Sequence, residues 1–241
     1  MPSPAQRMKD AVKTALIRRG WKLVRSPDSF FIDLHQIDLV YDVGANIGQY
    51  AQSLRLRGYK GRIVSFEPVS TTFAQLQKAA EGDASWTVRH SALGNETGTA
   101  DINVSAASYL SSFNEMRDFA RDAMTGSQTV RTETVPLARL ADIVAEFPAR
   151  RPFLKIDTQG FERQVLDGAG EALENFEGVL LELPVNHLYD GMWTLNEALN
   201  YMRERGFVPA QFAMVNWTSD DQASAAEFDC VFRRIRTEDR A

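Results

Sequence analysis

Three observations predict a doubly wound α/β fold. Short apolar runs alternate with amphipathic stretches, a glycine-bearing turn follows the first of those runs, and two apolar runs separated by a polar turn finish the chain. The alternation calls for parallel strands with helices on both faces, and the final pair adds an antiparallel hairpin that closes the sheet.

In chain order, Met8, Val12, Ala15 and Leu16 recur at helical spacing with basic residues mostly on other faces. This reads as a helix packed on the body, with a basic amphipathic helix on a membrane surface as the alternative. Residues 1–37 are thus an N-terminal helical extension, and 38–241 carry the main domain. A strand over Asp38 to Val43 runs through a glycine turn into a helix from about Ile47 to Arg57, which Gly58 stops. Arg62 to Phe66 reads as a strand, Ser70 to Ala80 as a helix and Trp86 to Ser91 as a strand. The pattern then loosens: Thr99 to Val104 and Thr129 to Val135 look like strands, and the polar segment Ser105 to Ser127 between them reads as a lid or a small helical insertion. Regularity returns with a strand over Phe153 to Ile156, a helix or broken pair over Phe161 to Leu173, and a strand over Gly178 to Leu183. Thr194 and Glu197 form a capping box that opens a helix over Leu195 to Arg205, and Gly206 ends it. Phe207 to Val215, a turn around Ser219 to Asp221, and Glu227 to Arg233 make the closing antiparallel pair.

Composition narrows the function. The chain has 241 residues, 44% hydrophobic and 24% charged, enough for one well-buried core and unlike a disordered or fibrous chain. Its net charge of −5 and the lack of a long basic block disfavour a nucleic-acid partner. A single cysteine, Cys230, can form neither an internal disulfide nor a cysteine-based metal site, and reads as a buried, inert thiol. No run of 18 apolar residues exists and the signal-peptide pattern is missing, so a cytoplasmic location without integral membrane contact is expected.

The chemistry should sit at Val40-Tyr41-Asp42-Val43-Gly44-Ala45-Asn46-Ile47-Gly48. An apolar strand ends in a glycine turn at a helix N-terminus, where a polar ligand can approach the backbone closely. Asn46 stands where a dinucleotide fingerprint has its second glycine, which disfavours a pyrophosphate and, with it, a nicotinamide-dependent oxidoreductase. Glu67, 19 residues after Gly48, ends the second strand, where a carboxylate can accept two hydrogen bonds from an unphosphorylated ribose. No Walker lysine motif and no G-x-S-x-G elbow occurs.

The motifs DVGANIG, FEP, SALG, LKIDTQGFE and LLELP, spread over Asp38 to Arg233, resemble FkbM-type methyltransferases. The resemblance implies a class I methyltransferase fold, Rossmann-like, with a seven-stranded, mostly parallel sheet and a reversed C-terminal hairpin. It also implies S-adenosyl-L-methionine (SAM) as methyl donor and S-adenosyl-L-homocysteine as product. Asp42, Gly44, Ala45, Asn46 and Gly48 should surround the amino acid end of SAM, Glu67 with Pro68 the ribose, and Ser91 with Ala92 the adenine. Asp157 should face the reacting centre, with Glu162 following it in the family's acidic pair. Many relatives carry Val-Glu-Gly after that aspartate; this chain has Thr158-Gln159-Gly160, one carboxylate fewer. Asp157, Glu182 and His187 are the candidate bases for an alcohol acceptor. His187 reads first as a locally bonded loop histidine, next as a base and last as a metal ligand, and no metal is assigned. The expected reaction is O-methylation of a hydroxylated small molecule, a glycan or another secondary metabolite. Two alternatives stand beside it: methylation of nitrogen or carbon, and a catalytically idle SAM-binding or interaction domain.

Overall fold

The computed structural model describes residues 4–19, 26–217 and 225–235; the turn at Ser219 to Asp221 and the side chain of Trp217 lie outside the described residues. Helices α1 (Pro4–Arg18) and α2 (Pro27–Leu34) precede the first βα unit, β1 (Leu39–Val43) and α3 (Gln49–Leu56). β2 (Arg62–Phe66), α4 (Ser70–Ala80) and β3 (Trp86–Arg89) continue the alternation. After an excursion, the main pattern resumes with β7 (Pro152–Ile156), α7 (Glu162–Ala169), β8 (Gly178–Pro184), α8 (Leu195–Glu204), β9 (Phe207–Trp217) and β10 (Ala225–Arg234). The excursion itself is β4 (Ala92–Gly94), β5 (Gly98–Ser105), α5 (Asp118–Ala123), β6 (Thr129–Arg139) and α6 (Leu140–Glu146).

The seven-stranded sheet has the order β3-β2-β1-β7-β8-β10-β9. Strands β1, β2, β3, β7 and β8 pair in parallel, while β10 runs antiparallel between β8 and β9. This is the class I methyltransferase arrangement with its reversed final hairpin. Two-residue periodicity sorts β1 between two cores: Leu39, Tyr41 and Val43 face the side covered by α6, α7 and α8, and Val40 faces α2, α3 and α4. Each such side chain contributes about 1.5–3 kcal/mol on burial, so slipping the register by one residue reverses both layers.

The Phe161 to Leu173 segment is the broken pair: α7 ends at Ala169, Gly170 takes φ +51°, and a 3₁₀ turn follows over Gly170–Asn175. The structure revises one expectation about the extension. Met8 and Val12 of α1 are exposed rather than packed on the body, whereas α2 buries Phe31 and Ile32 in the core. Strands β4, β6 and β5 form a second, three-stranded sheet, absent from the sequence reading. Among the described residues no helix is long and apolar enough to cross a membrane.

Candidate functional site

Strand order changes direction at β1, with β2 on one side and β7 on the other, which opens a crevice at their carboxyl ends. Gly44 lines it with φ +74°, and the amides of Gly44 and Ala45 both donate to the Phe66 carbonyl. A Cβ on Gly44 would lie 1.8 Å from the Asp157 carbonyl oxygen, so the two loops touch only because this residue has no side chain. Asn46 (φ 49°) and Gln159 (φ 56°) also adopt the left-handed region. That strain in non-glycine residues, of order 1–3 kcal/mol each, collects where two loops meet over the crevice.

The crevice holds a cavity of about 370 Å³ whose apolar wall includes Val43, Phe66, Leu93, Ile102 and Phe113. Glu67, Pro68, Ser91 and Ala92 line it as well. The Glu67 carboxylate is fixed by two amides: Asn46 N–H donates to Oε2 at 3.0 Å and Val69 N–H to Oε1 at 2.9 Å. Each oxygen keeps a lone pair for a ligand hydroxyl. Burial pushes the Glu67 carboxyl up to about 7, against the pull of those two amides and of Lys155. Burial likewise raises Asp229 to about 7, and raises Glu182 and Glu227 with help from the neighbouring Asp157 charge. A carboxyl that holds its proton longer in the folded than in the unfolded state favours folding most below the unfolded value and loses that advantage as pH rises through the folded one. The unliganded protein is therefore expected to melt at a lower temperature at about pH 8 than at about pH 6. Glu67→Gln should flatten part of that slope in a thermal melt series; an unchanged slope would mean that Glu67 is solvated.

Beneath the crevice lies a buried polar row that follows from strand register. Ser65, Asp42 and Lys155 are neighbours across β2, β1 and β7. Trp86 Nε1 donates to Ser65 Oγ, and Ser65 Oγ donates to Asp42 Oδ2, both at 3.0 Å. Asp42 Oδ1 pairs with Lys155 Nζ at 3.1 Å, and the ammonium also donates to the Gly44 carbonyl at 2.9 Å. The carboxylates of Asp42 and Asp157 hold Lys155 in its charged form although burial opposes it.

At the other end of the cavity stand Asp157, Gln159, Glu182 and Glu227. Gln159 Nε2 donates to Asp157 Oδ1 at 2.8 Å and to Glu182 Oε2 at 3.3 Å, so one amide bridges two carboxylates. Lys155 Nζ lies 3.7 Å from Asp157 Oδ2. Glu162 does not reach the cavity. Its Oε1 accepts from Thr158 N–H, Thr158 Oγ1 and Gly160 N–H, stapling the loop that carries Asp157 and Gln159. An adjoining cavity of about 330 Å³ shares Asp157 and Glu182 and adds Ala45, Asp229 and Ser26.

The insertion folds over this crevice. Its 3₁₀ turn, Ser108–Leu110, sets Tyr109 in both cavity walls, and Ser108 Oγ donates to Asn46 Oδ1. Tyr189 Oη reaches the Leu110 carbonyl at 3.1 Å and Gln159 Oε1 at 3.3 Å, and Leu110, Met116, Ala120, Leu188 and Tyr189 form one apolar cluster. The cover is thus tied to the loop bearing the acids.

Of the residues expected at the site, Gly44, Asn46, Glu67, Pro68, Ser91, Ala92, Asp157 and Glu182 line the first cavity, and Ala45 lines the second. Three do not, and their placement corrects the sequence reading. Asp42 is fully buried in the polar row, because an inward-facing position in a central strand points into a core layer and not toward the strand end. Gly48 takes φ +91° ahead of α3, and a Cβ there would strike the Trp86 ring, so it serves packing. His187 lines neither cavity. Trp193 packs on Tyr201 of α8, and burial pushes the Cys230 thiol up to about 12, as suits an inert core residue. Lys155, Glu227 and Asp229 escaped the sequence reading. The signal for Lys155 was a lone cation inside the apolar run Phe153-Leu154-Lys155-Ile156.

Known proteins resemble this chain in sequence and in fold. The model of the methyltransferase FkbM domain matches residues 42–209. The 31-O-demethyl-FK506 methyltransferase FkbM of Streptomyces tacrolimicus is 27% identical over 205 residues, covering 73% of this chain and 75% of the relative. The crystal structure of Sp1610 from Streptococcus pneumoniae, a tRNA (m1A22) methyltransferase candidate, superposes with a TM-score of 0.51 at 12% identity, covering 89% of this chain and 72% of that one. That likeness concerns the fold alone.

Proposed function

This chain belongs to the FkbM methyltransferase family, and from that premise we propose that it transfers the methyl group of SAM to a hydroxyl of a sugar or another secondary metabolite. The observation that carries the reading is a single cavity with a fixed carboxylate, Glu67, on one wall and the amide-bridged acids Asp157 and Glu182 on another. The residues suit the donor. Glu67 would accept from the ribose hydroxyls through its free lone pairs, the apolar wall around Phe66, Leu93 and Ile102 would take the adenine, and the Gly44 to Asn46 turn the amino acid end.

SAM, when bound, supplies a methyl group already activated by a sulfonium leaving group. The protein's own work is to aim the acceptor, exclude water and receive one proton. Asp157, with the Lys155 ammonium beside it, accepts a hydrogen bond from the acceptor hydroxyl and orients it. Glu182 is the base that takes the proton, since its raised affinity for protons suits an alcohol better than an ordinary carboxylate does. Tyr109, Leu110 and Phe113 close the cavity against solvent. An oxygen acceptor is also supported by the relative whose name gives 31-O-demethyl-FK506 as the compound methylated.

Calorimetry with SAM and S-adenosylhomocysteine tests the donor site. Glu67→Ala should weaken SAM binding by about 1–3 kcal/mol, roughly 5- to 150-fold in Kd. Because Glu67 titrates near 7, affinity in the unsubstituted protein should strengthen from about pH 6 to about pH 8 as the carboxylate ionises. No binding, or an unaltered Kd in the variant, would count against the reading.

A further inference from the structure

Helix α1 (Pro4–Arg18) takes no part in the crevice, yet its composition is unlike that of the rest of the molecule. Residues 1–25 contain seven Lys or Arg and one Asp, a net +6, whereas residues 26–241 carry −11. At about 100° per residue, Ala11, Ala15, Met8, Val12 and Leu16 fall on one arc of about 140°. Positions Lys9 and Lys13 follow one edge of that arc, and Arg18 and Arg7 the other. The apolar arc is not covered by the body: Met8 is 68% exposed and Val12 52%, and Leu16 is half-buried.

We propose that α1 is a surface anchor that lies in the interface of an anionic lipid bilayer, its apolar arc among the acyl chains and its flanking cations at the headgroups. Two features select lipid over other polyanions. A nucleic-acid backbone offers nothing to a Met, Val and Leu stripe, whereas a bilayer interface takes up that stripe and lets long basic side chains on both flanks reach the headgroups. The net negative charge of the remaining chain is repelled by the same surface, so the positive charge at the N-terminal end sets which part of the molecule meets the lipid. Six residues lie between Arg19 and Ser26, a reach of at most about 25 Å, and Ser26 lines the second cavity beside Asp157 and Glu182. The anchor would therefore hold the mouth of the crevice close to the bilayer.

Sedimentation of the full chain with vesicles tests this. Phosphatidylcholine vesicles containing about 30% phosphatidylglycerol should pull the protein down at roughly 50 mM salt and release much of it at roughly 500 mM, whereas phosphatidylcholine alone should not bind it. Lys13→Ala with Arg18→Ala should weaken partitioning about 25-fold, at about fivefold per cation. Met8→Asp with Val12→Asp should abolish it, while SAM calorimetry and the cooperative melt stay as in the unsubstituted protein. No binding to anionic vesicles, equal binding to neutral ones, or binding undiminished in Met8→Asp/Val12→Asp overturns the proposal. So does light scattering that shows a dimer dissolved by those two substitutions, since the arc would then be a contact between copies.

Discussion

Glu182→Gln is expected to lower kcat for methyl transfer by about 10²- to 10⁴-fold while leaving SAM affinity within about threefold. The variant keeps the size of the side chain and an acceptor oxygen for the Gln159 amide, but it removes the carboxylate of raised proton affinity that this amide holds beside Asp157. Burial is the main cause of that raised affinity, followed by the charges of Asp157, Glu227 and Asp229. A base of this kind must be deprotonated before it works, so kcat should climb with pH in the unsubstituted enzyme, and the climb should vanish in the glutamine variant. Steady-state kinetics across pH with a hydroxylated acceptor measures both. A fall of less than about threefold, with the pH limb intact, would move the proton to Asp157.

Lys155→Met is expected to destabilise the fold by about 3–5 kcal/mol, because it strands the Asp42 carboxylate in the core without its counter-charge. Ser65 supplies a single hydrogen bond to that carboxylate, too little to replace an ammonium. Asp42→Asn should cost less, because the Asp157 carboxylate, 3.7 Å from Lys155 Nζ, still faces the ammonium. The double variant should recover part of the loss, since a neutral pair carries no uncompensated charge. Urea titrations of the four proteins complete the cycle. Additive losses would mean that the two groups are independent. The same ammonium donates to the Gly44 carbonyl, so Lys155→Met should also loosen the glycine turn and weaken SAM binding.

The main βα order was legible because period and punctuation agree along the chain. Apolar runs alternate with amphipathic ones, Gly58 and Gly206 stop helices, and Thr194 with Glu197 makes the capping box seen in the structure. Glu67 was legible for the same reason: a carboxylate at a strand end, a fixed distance after a glycine turn, has one place to go in a parallel sheet. The second sheet was not legible. Thr99 to Val104 and Thr129 to Val135 read as strands, but nothing local states that β4, β6 and β5 pair with one another and leave the main sheet. His187 shows the matching error at the site, since a residue in a loop at the correct sheet edge need not border the crevice.

By itself, then, the sequence determined the strand and helix order, the turn at Gly44 and the acids at the strand ends, all of which depend on near neighbours in the chain. Only the tertiary structure decided that Asp42 is paired with Lys155 rather than aimed at a ligand, and that Gln159 joins Asp157 to Glu182. These contacts link residues 113 and 23 positions apart, respectively, across separate elements. They exist only after parallel pairing sets the register and burial strips the water that would otherwise serve each charge.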